Sequence, residues 1–119
     1  MEDGQPLYLD LMKRCLTDWI HVDGEHAEAR AEGRDWPPIA HTMIGLKRLD
    51  SLHFCAQDIL SNQVPGDFIE TGVWRGGSVI FMRAVLKSYN VTDRCVWVAD
   101  SFAGVPPPNP EPLGCGNPP

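Results

Sequence analysis

A chain of 119 residues has room for one domain at most, and its formal net charge of −6, from 10 basic and 16 acidic residues, speaks against nucleic-acid or anionic-membrane binding. Basic residues never run beyond pairs (Lys13-Arg14, Lys47-Arg48), and no apolar stretch nears the roughly 18 residues that a membrane-spanning helix needs. The acidic residues Glu2, Asp3 and Asp10, with no apolar core behind a basic start, read against a secretory signal, so a cytoplasmic protein is expected.

Cys15, Cys55, Cys95 and Cys115 are widely and irregularly spaced, without a C-x-x-C pair. They read as buried or incidental thiols. His21, His26, His41 and His53 form no H-E-x-x-H pattern, so no metal ligands are assigned.

In chain order, the spacing predicts a first helix over residues 7–19. Tyr8, Leu11, Met12, Cys15, Leu16 and Trp19 recur at three- and four-residue steps and should pack on a larger body. Residues 21–35 are polar and charged, with little to bury, and read as a mobile loop with at most one frayed turn. Trp36-Pro37-Pro38 ends it, because proline removes a donor and restricts the residue before it. A second helix is predicted from Thr42, as N-cap, to about Leu60, with Leu49, Leu52, Ala56, Ile59 and Leu60 along one face. Asn62 and Pro65-Gly66 stop it.

There follows the stretch on which the chain turns. The run at Phe68 and Ile69 ends in Glu70, passes through Thr71-Gly72-Val73-Trp74-Arg75-Gly76-Gly77, and opens into a helix over residues 79–89. That helix is apolar on more than one side (Ile80, Phe81, Ala84, Val85, Leu86, Tyr89), which suits packing against a sheet. Cys95-Val96-Trp97-Val98-Ala99 does not alternate, as expected for a parallel strand buried on both faces, and it ends in Asp100. Residues 106–119 are mostly Pro, Gly and Asn and read as a disordered tail. Two strands and three helices make only the first part of an α/β domain, since a parallel sheet needs cover on both faces.

Strand, glycine-rich turn, helix and strand, with a carboxylate at the carboxyl end of each strand, describe half of a nucleotide-type cofactor site. Glu70 and Asp100 can accept from ribose hydroxyls. Gly72, Gly76 and Gly77 permit close backbone approach and positive φ, and the amides that start the Ser78 helix favour an anion. The pattern is E-x-G-x-x-x-G-G, not G-x-G-x-x-G: Trp74 stands where a dinucleotide site needs glycine. No lysine-bearing phosphate loop is present either. S-adenosylmethionine suits the two acidic strand ends better. The indoles of Trp74 and Trp97 read as core, with packing beside adenine as the alternative.

Three runs, Asp35-Trp36-Pro37-Pro38-Ile39-Ala40-His41-Thr42-Met43-Ile44-Gly45, the turn from Glu70 to Gly77, and Val98-Ala99-Asp100-Ser101-Phe102-Ala103-Gly104-Val105-Pro106, together with the first helix, closely resemble the macrocin O-methyltransferase family. The resemblance implies a class I, Rossmann-like methyltransferase fold, here its N-terminal part with two parallel strands. It further implies S-adenosylmethionine as cofactor, magnesium in the intact family, and a sugar hydroxyl of a glycosylated natural product as acceptor. On the resemblance, Glu70, Thr71, Gly72, Val73 and Trp74 form the first cofactor loop. Asp100 and Ser101 hold the nucleoside end, and Thr42 and Met43 lie near the methionine part. The acids that hold magnesium in the family belong to the later half of its fold, so no base or metal ligand is named, and His41 is read as a helix-entry residue. The chain alone is expected to be inactive; homo-oligomers are expected only of intact relatives. The other readings are an oxidoreductase fragment binding a dinucleotide and a non-catalytic fragment.

Overall fold

A computed structural model of the chain describes residues 4–108. Residues 109–119 of the expected tail lie outside that range, and 106–108 carry no regular structure. Helix α1 spans Gly4–Leu16 and is followed by a short 3-10 turn, Trp19–His21. Then come α2 (Ala27–Glu32), α3 (Gly45–Ser61), β1 (Phe68–Thr71), α4 (Gly77–Ser88) and β2 (Val96–Ala99). The strands pair in parallel, with Phe68 opposite Val96 and Thr71 opposite Ala99, joined by the α4 crossover. This is the α/β arrangement expected.

α4 is the centre of the packing. Phe81, Val85 and Leu86 are wholly buried, with Leu9 and Leu16 of α1, Leu49 and Ala56 of α3, and Phe68 of β1 in the same core. A helix with apolar residues on several sides can do this because α1, α3 and both strands all pack against it.

The buried face of α1 differs from the expected one. Leu9 and Leu16 are buried and Met12 packs on the core, whereas Leu11 and Cys15 are exposed. Leu7, Tyr8, Leu9, Leu11 and Met12 crowd so much apolar surface into less than two turns that the periodicity has no unique phase. Docking on α4 decides it, and the Gln5 amide, 2.9 Å from the Ser88 carbonyl oxygen, fixes the far end.

Residues 21–35 are not a loop with one frayed turn. α2 forms there, and Arg30 is its anchor: Nε donates to Asp35 Oδ2 at 2.8 Å and Nη1 to the Asp18 carbonyl at 2.9 Å. A buried guanidinium with carboxylate and carbonyl partners replaces the missing apolar surface. Gly33 and Gly45 let α2 sit against the start of α3, for a Cβ on Gly45 would stand 2.4 Å from the Arg30 carbonyl oxygen. The helix predicted from Thr42 begins at Gly45 instead. Thr42 is no cap of it, since its Oγ1 accepts from the Ile44 amide in the turn before the helix.

β2 is not buried on both faces. Trp97 is 57% and Val98 46% exposed, and Ile69 of β1 is 63% exposed. Trp97 is no core residue, because its indole nitrogen donates to Asp67 Oδ2 at 2.9 Å on the surface. Of the two expectations for the cysteines, buried or incidental, the free thiols of Cys15, Cys55 and Cys95 match the second, since all three are exposed.

Candidate cofactor site

At the carboxyl ends of the two strands lies an open cavity of about 490 Å³. Its walls come from the segment before and into α3 (Thr42, Met43, Ile44, Arg48), the β1 turn (Glu70, Gly72, Val73, Trp74), Ser78 of α4, and Asp100, Gly104 and Val105 after β2, with Trp36 at the side. Parallel strands with a single crossover place both strand ends on one edge, so Glu70 and Asp100 meet there although they are far apart in sequence.

Three ties hold the 36–45 segment over this edge. The carbonyl of Leu16, at the end of α1, accepts from the amides of His41 (2.9 Å) and Thr42 (3.1 Å). The His41 carbonyl accepts from the Gly77 amide at 2.8 Å. Arg75 Nη1 donates to the carbonyls of Pro38 (2.8 Å) and Ala40 (3.0 Å), while its guanidinium lies 4.3 Å from the centre of the Trp74 ring. Gly77 is required here: a Cβ would stand 2.5 Å from the His41 carbonyl oxygen. The same contact occupies the first amide of α4, which was expected to be free for an anion.

The two carboxylates differ. Glu70 Oε2 is shielded from solvent and has no hydrogen-bond partner among the described residues. Burial pushes its pKa above the usual carboxylate value, with the Ser78 hydroxyl opposing the shift. Asp100 is exposed and accepts from the backbone: Oδ2 takes the Val73 amide at 2.8 Å and Oδ1 the Phe102 amide at 3.1 Å. The Val73 amide and then that of Phe102 hold its pKa below the usual value. Asp100 thus ties the β1 turn to the β2 turn.

Of the residues singled out in the sequence, Thr42, Met43, Glu70, Gly72, Val73, Trp74 and Asp100 line the cavity. Thr71 lies in the ladder opposite Ala99, Gly76 caps the start of α4 with a φ of 85°, and Gly77 packs on His41. The Ser101 hydroxyl faces Asp100 and Gly104 and receives the Ala103 amide. These four do not line it. A Cβ on Gly72 would meet open space, which leaves the backbone there accessible to a ligand. Trp74 adopts a φ of 49° and stands edge-on to Trp36, ring centres 6.1 Å apart, so it is a wall of the cavity and not core. Trp36, Ile44, Arg48, Ser78, Gly104 and Val105 were not singled out individually. Trp36, Ile44, Gly104 and Val105 fall within the quoted runs and Ser78 adjoins one, whereas Arg48 carries no motif at all. His41 is exposed, and its ties run through its backbone.

Among the described residues, no three of His, Cys, Asp and Glu converge as metal donors. With Glu70 shielded and Asp100 engaged by amides, these strand ends do not offer a magnesium cage.

The family model described as Macrocin-O-methyltransferase (TylF) matches residues 7–114. Over 115 residues the chain is 57% identical to the 8-demethyl-8-(2,3-dimethoxy-alpha-L-rhamnosyl)-tetracenomycin-C 4'-O-methyltransferase of Streptomyces olivaceus, covering 88% of this chain and 44% of that protein. It is 52% identical over 114 residues to the mycinamicin III 3''-O-methyltransferase of Micromonospora griseorubida, covering 87% and 45% of the two chains. The solved structure of the O-methyltransferase NovP superposes with a TM-score of 0.80 at 52% identity, over 86% of this chain and 44% of that one. The chain therefore spans just under half the length of the curated relatives it matches.

Proposed function

Since the chain belongs to the macrocin O-methyltransferase family, we propose that it is the S-adenosylmethionine-binding part of an enzyme that methylates a sugar hydroxyl of a glycosylated natural product. The observation that carries this reading is Glu70 Oε2, a shielded acceptor without a donor at the end of β1, beside an accessible Gly72. A ribose brings hydroxyl donors to such an atom.

S-adenosylmethionine supplies an electrophilic methyl group on a sulfonium centre. The residues of this chain bind and orient it. Glu70 would accept from the ribose, and the Gly72-Val73-Trp74 backbone, tied to Asp100 at the Val73 amide, would hold the nucleoside end. Trp74 and Trp36 would flank one side of it, and Thr42 and Met43 would border the methionine part. In-line displacement also needs a base and an acceptor pocket. The chain on this reading divides into an N-terminal segment (1–41), a cofactor-binding part (42–105) and a Pro/Gly-rich tail (106–119). A cytoplasmic location and a small sugar-bearing partner belong to the same reading.

Calorimetric titration with S-adenosylhomocysteine tests it. Saturable binding that Glu70→Ala abolishes, with an unchanged circular dichroism spectrum, supports the reading. No binding by a folded chain would refute it. A dinucleotide reading is not favoured, because Trp74 stands where the glycine pattern of such a site needs a residue without a side chain.

A further inference from the structure

This inference rests on the cofactor reading above. α3 carries Lys47 and Arg48 near its start and no acid in its first turn. Cations at that end of a helix face the positive pole of the peptide dipoles, so an anion bound beside them is favoured. Lys47 has one: its Nζ lies 3.2 Å from Glu32 Oε1. Arg48 has no ion-pair partner among the described residues, is exposed, and lines the cavity shared by Thr42, Met43, Glu70 and Asp100.

The acids of that cavity do not answer it. Asp100 is already met by the Val73 and Phe102 amides. Glu70 Oε2 has no partner, Arg48 included. One cavity therefore holds an acceptor lacking a donor and a cation lacking an anion, not in contact with each other. A ligand that satisfies both carries hydroxyl donors in one part and a carboxylate in another, separated by several bonds. S-adenosylmethionine has this form: ribose hydroxyls on the nucleoside and an α-carboxylate on the methionyl arm.

We propose that Arg48 binds the methionyl α-carboxylate of the cofactor, its guanidinium donating to the carboxylate oxygens. Arg48 is thus a binding residue that separates the complete cofactor from nucleoside fragments. The side chain is exposed on a helix surface, so its removal leaves the fold intact.

The test compares two ligands on the purified chain by calorimetry: S-adenosylhomocysteine, and methylthioadenosine, which keeps adenine, ribose and thioether but lacks the amino acid. Arg48→Ala is expected to weaken S-adenosylhomocysteine about tenfold or more and to leave methylthioadenosine unchanged. Arg48→Lys should recover part of the loss. Equal S-adenosylhomocysteine affinity in the parent chain and Arg48→Ala would overturn the proposal while the cofactor reading stands. An equal loss of both ligands would also overturn it, showing a role in shaping the cavity. Failure of the folded parent chain to bind either ligand would overturn the cofactor reading and this proposal together.

Discussion

Glu70 concentrates the conflict between folding and binding in one side chain. Its raised pKa means that the folded chain holds the Glu70 proton more tightly than the unfolded one. The stabilising contribution is therefore complete below the unfolded value and is lost as pH rises through the folded one. Glu70→Gln should raise the melting temperature at pH 7, and the gain should shrink to nothing near pH 4. The same substitution should weaken S-adenosylhomocysteine binding, because an amide cannot accept at both of its terminal atoms. Thermal melts across that pH range, paired with titration at pH 7, check both halves. Asp100 has the opposite sign. Its pKa is lowered by the Val73 amide first, so its support of the β1 turn is present above the unfolded value and lost as pH falls through the folded one.

The Cα of Gly77 lies so close to the His41 carbonyl that Gly77→Ala must push the 36–45 segment away from α4. A loss of about 1–3 kcal/mol is expected from overpacking of this kind, measurable by urea denaturation. The glycine was legible in the sequence as part of a turn. Its actual partner was not, since His41 is distant in sequence and nothing local records the approach.

Among the elements, the 36–45 segment shows how a stretch without regular structure is held. Its backbone groups are met by the end of α1, the start of α4 and the Arg75 side chain. Arg75→Ala removes two donors and the stacking partner of Trp74, at a cost of about 1 kcal/mol in stability. Amide hydrogen exchange should quicken at residues 39–42 with little change in α3. Unchanged exchange there would mean that the α1 and α4 contacts suffice. α2 is the element that pattern reading missed. Its stability comes from Arg30 with Asp18 and Asp35 and from the meeting of Gly33 with the start of α3, none of which leaves an apolar period. The strands and α4 were legible because each has a continuous apolar run bounded by turn residues. The phase of α1 was not, because its apolar residues occupy too much of the circumference.

For the whole molecule, the described residues form a core around α4 while the sheet stays open. Ile69, Trp97 and Val98 are exposed, and an apolar groove lined by Leu52, Ala56, Ile59, Phe68, Ile69 and Met82 lies between α3 and β1. A full-length relative has more than twice as much chain. The purified chain should therefore self-associate and bind a hydrophobic dye, and Ile69→Thr with Val98→Thr should reduce both in sedimentation and fluorescence measurements. A monodisperse parent chain without dye binding would count against this. The acidic strand ends and the glycine turn were readable as a cofactor site because they are contiguous motifs. Arg48 was not, because its role depends on where α3 brings it.

On the proposed reading, the cavity at the strand ends receives S-adenosylmethionine. Its most direct test is titration of the purified 119-residue chain with S-adenosylhomocysteine, with circular dichroism on the same sample. Saturable binding at one site per chain, lost in Glu70→Ala with the spectrum unchanged, is the predicted result. A helical, folded sample that takes up no S-adenosylhomocysteine, or one whose binding survives Glu70→Ala intact, would contradict it.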